Sequence, residues 1–167
     1  MAELTPRERL QPSLLDRLTD YEPDKKVESR DQRVLSLAKL RECVMRDLTW
    51  LLNAENMASR QRVSECPEAM QSVINYGIPA SAGATSTGRG RERLERQILE
   101  AIYTFEPRLI RDTVSVRTLP SSREMSKNAI EFEIEADLWA QPLPQHLYFQ
   151  TEVDLDTGTY DVADRSA

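Results

Sequence analysis

Histidine and cysteine are nearly missing from this 167-residue chain, which has one histidine, His146, and two cysteines, Cys43 and Cys66. A lone histidine leaves a zinc site short of its usual ligands. A Ser-His-Asp or Cys-His enzyme would have to use His146, and no Gly-x-Ser-x-Gly elbow accompanies it. The cysteines form neither a Cys-x-x-Cys pair nor a disulfide framework, and read as reduced, partly buried thiols. Apolar runs never approach the roughly 20 residues of a membrane span. The stretch from Met1 to Ser13 lacks the apolar core of a secretory signal, so a cytoplasmic location is expected. Basic residues are in deficit: the net charge is -6 and the pI about 5.0. That balance argues against a general nucleic-acid binder, because neutralising phosphates takes a concentrated excess of Lys and Arg.

What is present points to one domain with a core of its own, given the length and a 40% apolar content. The charge is uneven. Asn128 to Asp164 holds nine acids and no Lys or Arg, so residues 128–167 carry -8 while residues 1–127 carry +2. Such a segment is either a solvated sheet face kept soluble by repulsion or a docking surface for a basic partner.

Residues 1–33 are polar, interrupted by Pro6, Pro12 and Pro23, and read as an N-terminal extension. Within them Leu14-Leu15-Asp16-Arg17-Leu18 predicts one or two helical turns with its three leucines on one side. That is too short to stand alone, so it must pack on the domain or on something else. Residues 34–162 read as a single domain and 163–167 as a tail. Val34, Leu37, Leu40, Val44, Leu48 and Leu51 recur at helical spacing, with Ser36 as N-cap, Asn53 at the end, and Trp50 and Leu52 widening the stripe. A polar loop follows from Ala54 to Arg62. Pro67 then opens a short helix that would bury Met70, Val73 and Ile74 and stop at Gly77.

Ala80 to Gly90 holds three of the five glycines and reads as a loop. Gly83 and Gly88 imitate the spacing of a phosphate loop, but Arg89-Gly90 stands where Lys-Ser/Thr is needed, and no apolar strand precedes. A second long helix runs from Arg91 to Phe105, with Leu94, Ile98, Ala101, Ile102 and Phe105 on one face. Pro107 ends it by excluding Glu106 from helical angles. Val114 and Val116 mark a short strand, and Leu119 to Ser126 a turn. Ile130 to Leu138 alternates apolar residues with Glu131, Glu133, Glu135 and Asp137, so one face meets a core. After a connection through Pro142 and Pro144, Leu147 to Leu155 alternates in the same way. Asp156-Thr157-Gly158 forms a hairpin turn, with a short edge strand from Thr159 to Val162. Helices first and a small antiparallel sheet afterwards make the fold class α+β.

Phe105-Glu106-Pro107-Arg108-Leu109 stands apart chemically. Pro107 makes the chain extended, so Glu106 and Arg108 point to a similar side and either brace each other or form a forked recognition edge. Before it come Leu14-Leu15-Asp16-Arg17-Leu18, Arg46-Asp47-Leu48, Trp50-Leu51-Leu52-Asn53 and Asn75-Tyr76-Gly77-Ile78-Pro79; after it comes the alternating strand from Ile130. In that order, over residues 10–160, the series resembles the TssE family of baseplate subunits of the bacterial type VI secretion system. That family is similar to the small baseplate wedge protein of contractile-tailed phages, once labelled lysozyme-like. The resemblance implies a cytoplasmic, non-catalytic component without cofactor, similar in fold to the interlocking domain of contractile sheath subunits. It implies a wedge with TssF, TssG and TssK, and a sheet onto which the first layer of the sheath proteins TssB and TssC adds strands. It makes Glu106, Pro107 and Arg108 partner-facing, and implies no nucleic acid and no direct membrane insertion.

Two other functions compete. A peptidoglycan glycoside hydrolase needs two carboxyls about 5–9.5 Å apart beside a sugar cleft, one of them with a raised pKa. Glu106 is the nominee, yet Arg108 beside it favours its ionised form, and neither a dedicated second carboxyl nor an aromatic-lined cleft is indicated. A regulatory adaptor built on the same fold is the other, and the completeness of the motif series argues against it.

Overall fold

The computed structural model describes residues 13–19, 23–24, 36–59, 65–83, 88–119, 128–140 and 143–165. Expectations for Val34, the end of the loop at Arg62, the middle of the Ala80–Gly90 loop, the turn after Leu119 and Pro142 fall outside them. Four helices precede four strands among these residues: α1 (Leu14–Leu18), α2 (Leu37–Asn53), α3 (Pro67–Met70), α4 (Gly88–Phe105), β1 (Ser115–Thr118), β2 (Ala129–Leu138), β3 (Gln145–Asp154) and β4 (Tyr160–Asp164). The fold is α+β, with an antiparallel sheet in the order β1-β2-β3-β4.

Period-two alternation sets the register. Ile130, Phe132, Ile134 and Ala136 stand opposite Val153, Thr151, Phe149 and Leu147, and all eight are buried. α2 packs on β4 and α4 on β1. Leu40, Val44, Leu48 and Leu51 of α2 and Leu94, Ile98, Ala101 and Ile102 of α4 close the core. Each large apolar side chain taken fully out of water there is worth about 1.5–3 kcal/mol. Ser36 caps α2, accepting the Lys39 amide at 3.1 Å. On the opposite face of the sheet, Glu131, Glu133, Glu135 and Asp137 keep partial exposure.

Short elements depart from the sequence pattern. Met70, Val73 and Ile74, expected inside, are exposed, Val73 by 83%. The helix lasts only four residues before a 3-10 turn at Val73–Asn75 takes over. Its inward group is Asn75, whose amide donates to the Met70 carbonyl at 3.0 Å and accepts the Ala58 N–H at 2.9 Å. α1 is turned in the same sense, with Leu14 and Leu18 exposed by 72% and 75% and the Asp16 side chain inside. Trp50 faces out beneath the Arg46 guanidinium, 5.1 Å from its ring centroid. Cys43 is buried but Cys66 is exposed. At Asn75 and Asp16 a polar bond available to the inner position outweighs the burial of one or two apolar groups.

Gly77 is not a helix stop but a close approach. Its φ is +113°, and a Cβ there would run into the Ala54 carbonyl, which accepts the Ile78 N–H at 2.9 Å. α4 starts three residues earlier than expected. β4 runs two residues further, and beyond it the Arg165 N–H still bonds the Tyr148 carbonyl at 2.9 Å.

Candidate functional site: the Glu-Pro-Arg turn

The Glu106 N–H makes the last bond of α4, to the Ile102 carbonyl at 2.9 Å. Pro107 breaks the helix there, and the Leu109 N–H returns to the Glu106 carbonyl at 3.3 Å, closing a turn. The chain leaving that turn is stitched to the end of β2. Leu109 pairs with Leu138, the Ile110 N–H donates to the Asp137 carbonyl at 2.9 Å, and the Trp139 N–H to the Arg108 carbonyl at 2.8 Å.

Glu106 and Arg108 do point to the same side, and they grip each other. The Glu106 residue is 5% exposed. Its Oε1 accepts the Arg108 backbone N–H at 3.1 Å and Nε at 2.7 Å, and its Oε2 accepts Nη2 at 2.5 Å. The same Nη2 reaches Asp47 Oδ2 of α2 at 2.6 Å. Asp47 Oδ1 accepts the Arg46 Nε at 2.8 Å, and Arg46 Nη1 lies 2.8 Å from Asp16 Oδ1. Glu106, Arg108, Asp47, Arg46 and Asp16 thus form a chain of alternating charge from the turn across α2 to α1. Ser13 completes it by donating to Asp16 Oδ2 at 2.6 Å.

The electrostatics follow from this order. Burial alone would lower the pKa of Arg108, but its bonds to Glu106, and then to Asp47, outweigh that and hold it above its usual value. Arg46 behaves likewise, burial being overcome by Asp47 and Asp16. Burial pushes the Asp16 carboxyl up, and the combined hydrogen bonds of Ser13, Arg46 and Cys43 more than reverse it, leaving it below the usual carboxylate value. Burial, then the bond to Asp16, raises the Cys43 thiol. Tyr76 braces the cluster from the side, its ring edge-on to Phe105 at 5.3 Å and its hydroxyl donating to the Asp47 carbonyl at 3.4 Å.

Four segments far apart in the sequence therefore meet in one place: Asp16, Arg46-Asp47, Tyr76 and Phe105–Arg108. The links of Asp47 to Arg108 and of Asp16 to Arg46 carried no sequence signal beyond complementary charge on neighbouring apolar frames. Pro107 is exposed beside the chain, as is Trp139 (58%), whose amide is bonded to the turn. His146 lies on the sheet, exposed, its Nδ1 2.9 Å from Asp137 Oδ1. Among the described residues no three His, Cys, Asp or Glu side chains are grouped as a metal would require, and no helix is long and apolar enough to cross a membrane.

Comparison with known proteins adds to this geometry. No curated protein matches the chain. A crystal structure of a Geobacter sulfurreducens protein, provisionally named a tail lysozyme, is similar at 19% identity over 70% of this chain and 92% of its own, with a TM-score of 0.46. That score is too low to carry an argument. The family described as baseplate wedge protein gp25 matches residues 38–143, which include α2, the Glu-Pro-Arg turn, β1 and β2. With well over half of its length matched, the chain belongs to this structural family of baseplate wedge proteins.

Proposed function

We propose that the protein is the TssE-type baseplate subunit of a type VI secretion system, acting in the cytoplasm without catalysis. In this reading it joins a wedge with TssF, TssG and TssK and offers its sheet as the platform on which TssB and TssC begin the sheath. Membership of the baseplate wedge family supports the structural role.

The observation that carries the reading is the state of the Glu106 carboxylate. It is buried, and both of its oxygens are occupied by Arg108. Such a group fixes the shape of a turn. The exposed Pro107 is then held in one orientation toward a partner, at little entropic cost on binding. The exposed side chain of Trp139, whose backbone N–H bonds the turn, suits the aromatic content of an interface centre.

The hydrolase reading has little to stand on in this geometry. A general acid needs a proton to give and a route to substrate, whereas Arg108 holds Glu106 as an acceptor. Two surface hollows, of about 210 and 240 Å³, are lined by residues 52–55, 78–83, 90, 93, 94, 97 and 157–158, not by Glu106. Purified protein is expected to leave peptidoglycan intact, and turnover that disappears in Glu106→Gln would overturn the assignment. The adaptor alternative parts from the baseplate role in cells: pull-downs should recover TssF, TssG and TssK, and recovery of a protease substrate in their place would favour the adaptor.

A further inference from the structure

A helix of five residues holds its shape only by packing on something, and α1 packs with its polar side. Its three leucines, Leu14, Leu15 and Leu18, are exposed. The Asp16 side chain goes inside instead, with Oδ1 2.8 Å from Arg46 Nη1 of α2, and the Cys43 thiol donates to the same carboxylate. Among the described residues, then, α1 is fastened to α2 by one carboxylate rather than by apolar contact. Beneath it lies Cys43, which is buried. Leu40 and Val44, near it on α2, belong to the packed apolar core, whereas Cys43 does not. What covers the thiol is α1.

Both ends of this fastening are provided for when it parts. Asp16 passes into water, where a carboxylate is well solvated. Arg46 keeps Asp47, whose Oδ1 accepts its Nε at 2.8 Å and stands 2.7 Å from its Nη2, and keeps the Trp50 ring beneath it. With α1 in place, Asp16, Asp47 and Glu106 share the guanidiniums of Arg46 and Arg108. With α1 lifted, two carboxylates face two guanidiniums. Opening therefore strands no buried charge, and it leaves the apolar core untouched.

Asp47 ties this fastening to the Glu-Pro-Arg turn. Its two oxygens are divided between Arg46 and Arg108, and Arg46 is in turn divided between Asp47 and Asp16. Loss of Arg108 leaves Asp47 wholly to Arg46, at the expense of Asp16. Loss of Asp47 leaves Arg46 to Asp16. The two changes have opposite signs because the charges alternate along the chain.

We propose that α1 is a latch that opens over Cys43 while the domain stays folded, that Asp16 on Arg46 is its catch, and that the Glu-Pro-Arg turn sets the strength of the catch through Asp47. α1 and the turn are thereby coupled, so a partner that engages either one shifts the other. The latch goes beyond the platform role and does not depend on it.

The test follows alkylation of Cys43 by iodoacetamide in the full chain carrying Cys66→Ser, which leaves one thiol. Each rate is divided by the ionised fraction of the thiol in that variant, taken from its pH profile, so that access is separated from reactivity. The rates are repeated in urea below the unfolding transition. Opening of α1 exposes few residues, so the rate should change little with urea, whereas a thiol reached only by global unfolding follows the full unfolding slope. Asp16→Asn should raise the rate about tenfold or more, and Arg108→Ala about threefold. Asp47→Asn should lower it about threefold, where a general loosening of the fold would raise it. A rate that follows global unfolding, or an Asp16→Asn rate equal to that of the parent, overturns the latch. Equal rates in the parent, Arg108→Ala and Asp47→Asn, or a faster rate in Asp47→Asn, overturn its link to the turn.

Discussion

Removing the Arg108 side chain separates stability from assembly. Arg108→Ala leaves Glu106, which is 5% exposed, without its cation, with Asp47 left across the gap. Breaking a buried ion pair by deleting one partner costs about 3–5 kcal/mol. The Arg108 and Asp47 side chains are 22% and 21% exposed, so water recovers part of this, and about 2–3 kcal/mol is the expected loss. For a chain of this length that lowers Tm by about 5–10 °C. It leaves a folded protein if total stability lies in the usual range of about 5–15 kcal/mol. Glu106→Gln combined with Arg108→Ala should recover much of the loss, giving a coupling of about 1–3 kcal/mol in a double-mutant cycle read from urea melts. A Tm within 1–2 °C of wild type, or additive effects in the cycle, would refute the picture of Arg108 as the clasp of the turn.

Three further outcomes follow from other parts of the molecule. The folded-state pKa of Asp16 lies below the ordinary carboxylate value of 3.8, so its contribution is fully present above that pH and is lost as pH falls through the lower folded value. Amide-exchange protection at Thr19, whose N–H bonds Leu15, taken relative to the intrinsic rate at each pH, should accordingly stay constant from pH 7 to 5 and fall only under stronger acid; a fall already at pH 5 contradicts this. Thr151 is fully buried with no partner for its hydroxyl among the described residues, so Thr151→Val should stabilise by about 1 kcal/mol, and a lower Tm would count against it. Ile134→Asp puts an unpaired charge at a fully buried site opposite Phe149 and should abolish the cooperative melt, whereas an unchanged melting curve would place that side chain outside the core.

The long elements were legible because they repeat one physical signal many times. From Ile130 to Leu138, β2 alternates five apolar residues with four acidic ones, and each reinforces the same face. α2 and α4 do so at helical spacing, and Ser36 marks the start of α2 by a local bond. α1 and α3 were not legible in the same way. With four or five residues each, one buried polar bond at Asp16 or Asn75 decides the orientation, and Leu14, Leu18, Val73 and Ile74 turn outward. Within the candidate site, the pairing of Glu106 with Arg108 is local and follows from Pro107. The link from Arg108 to Asp47 spans 61 residues and depends on how α4 and α2 pack, which no local pattern encodes. The same holds for Asn53, read as a helix end from sequence but placed by packing on the edge of β4.

The platform role is tested most directly by counting fluorescent sheaths in cells that lack this protein. The account predicts that assembled sheaths become rare or vanish, and that the wild-type gene restores them. Sheaths in normal number in the deletion strain would contradict it.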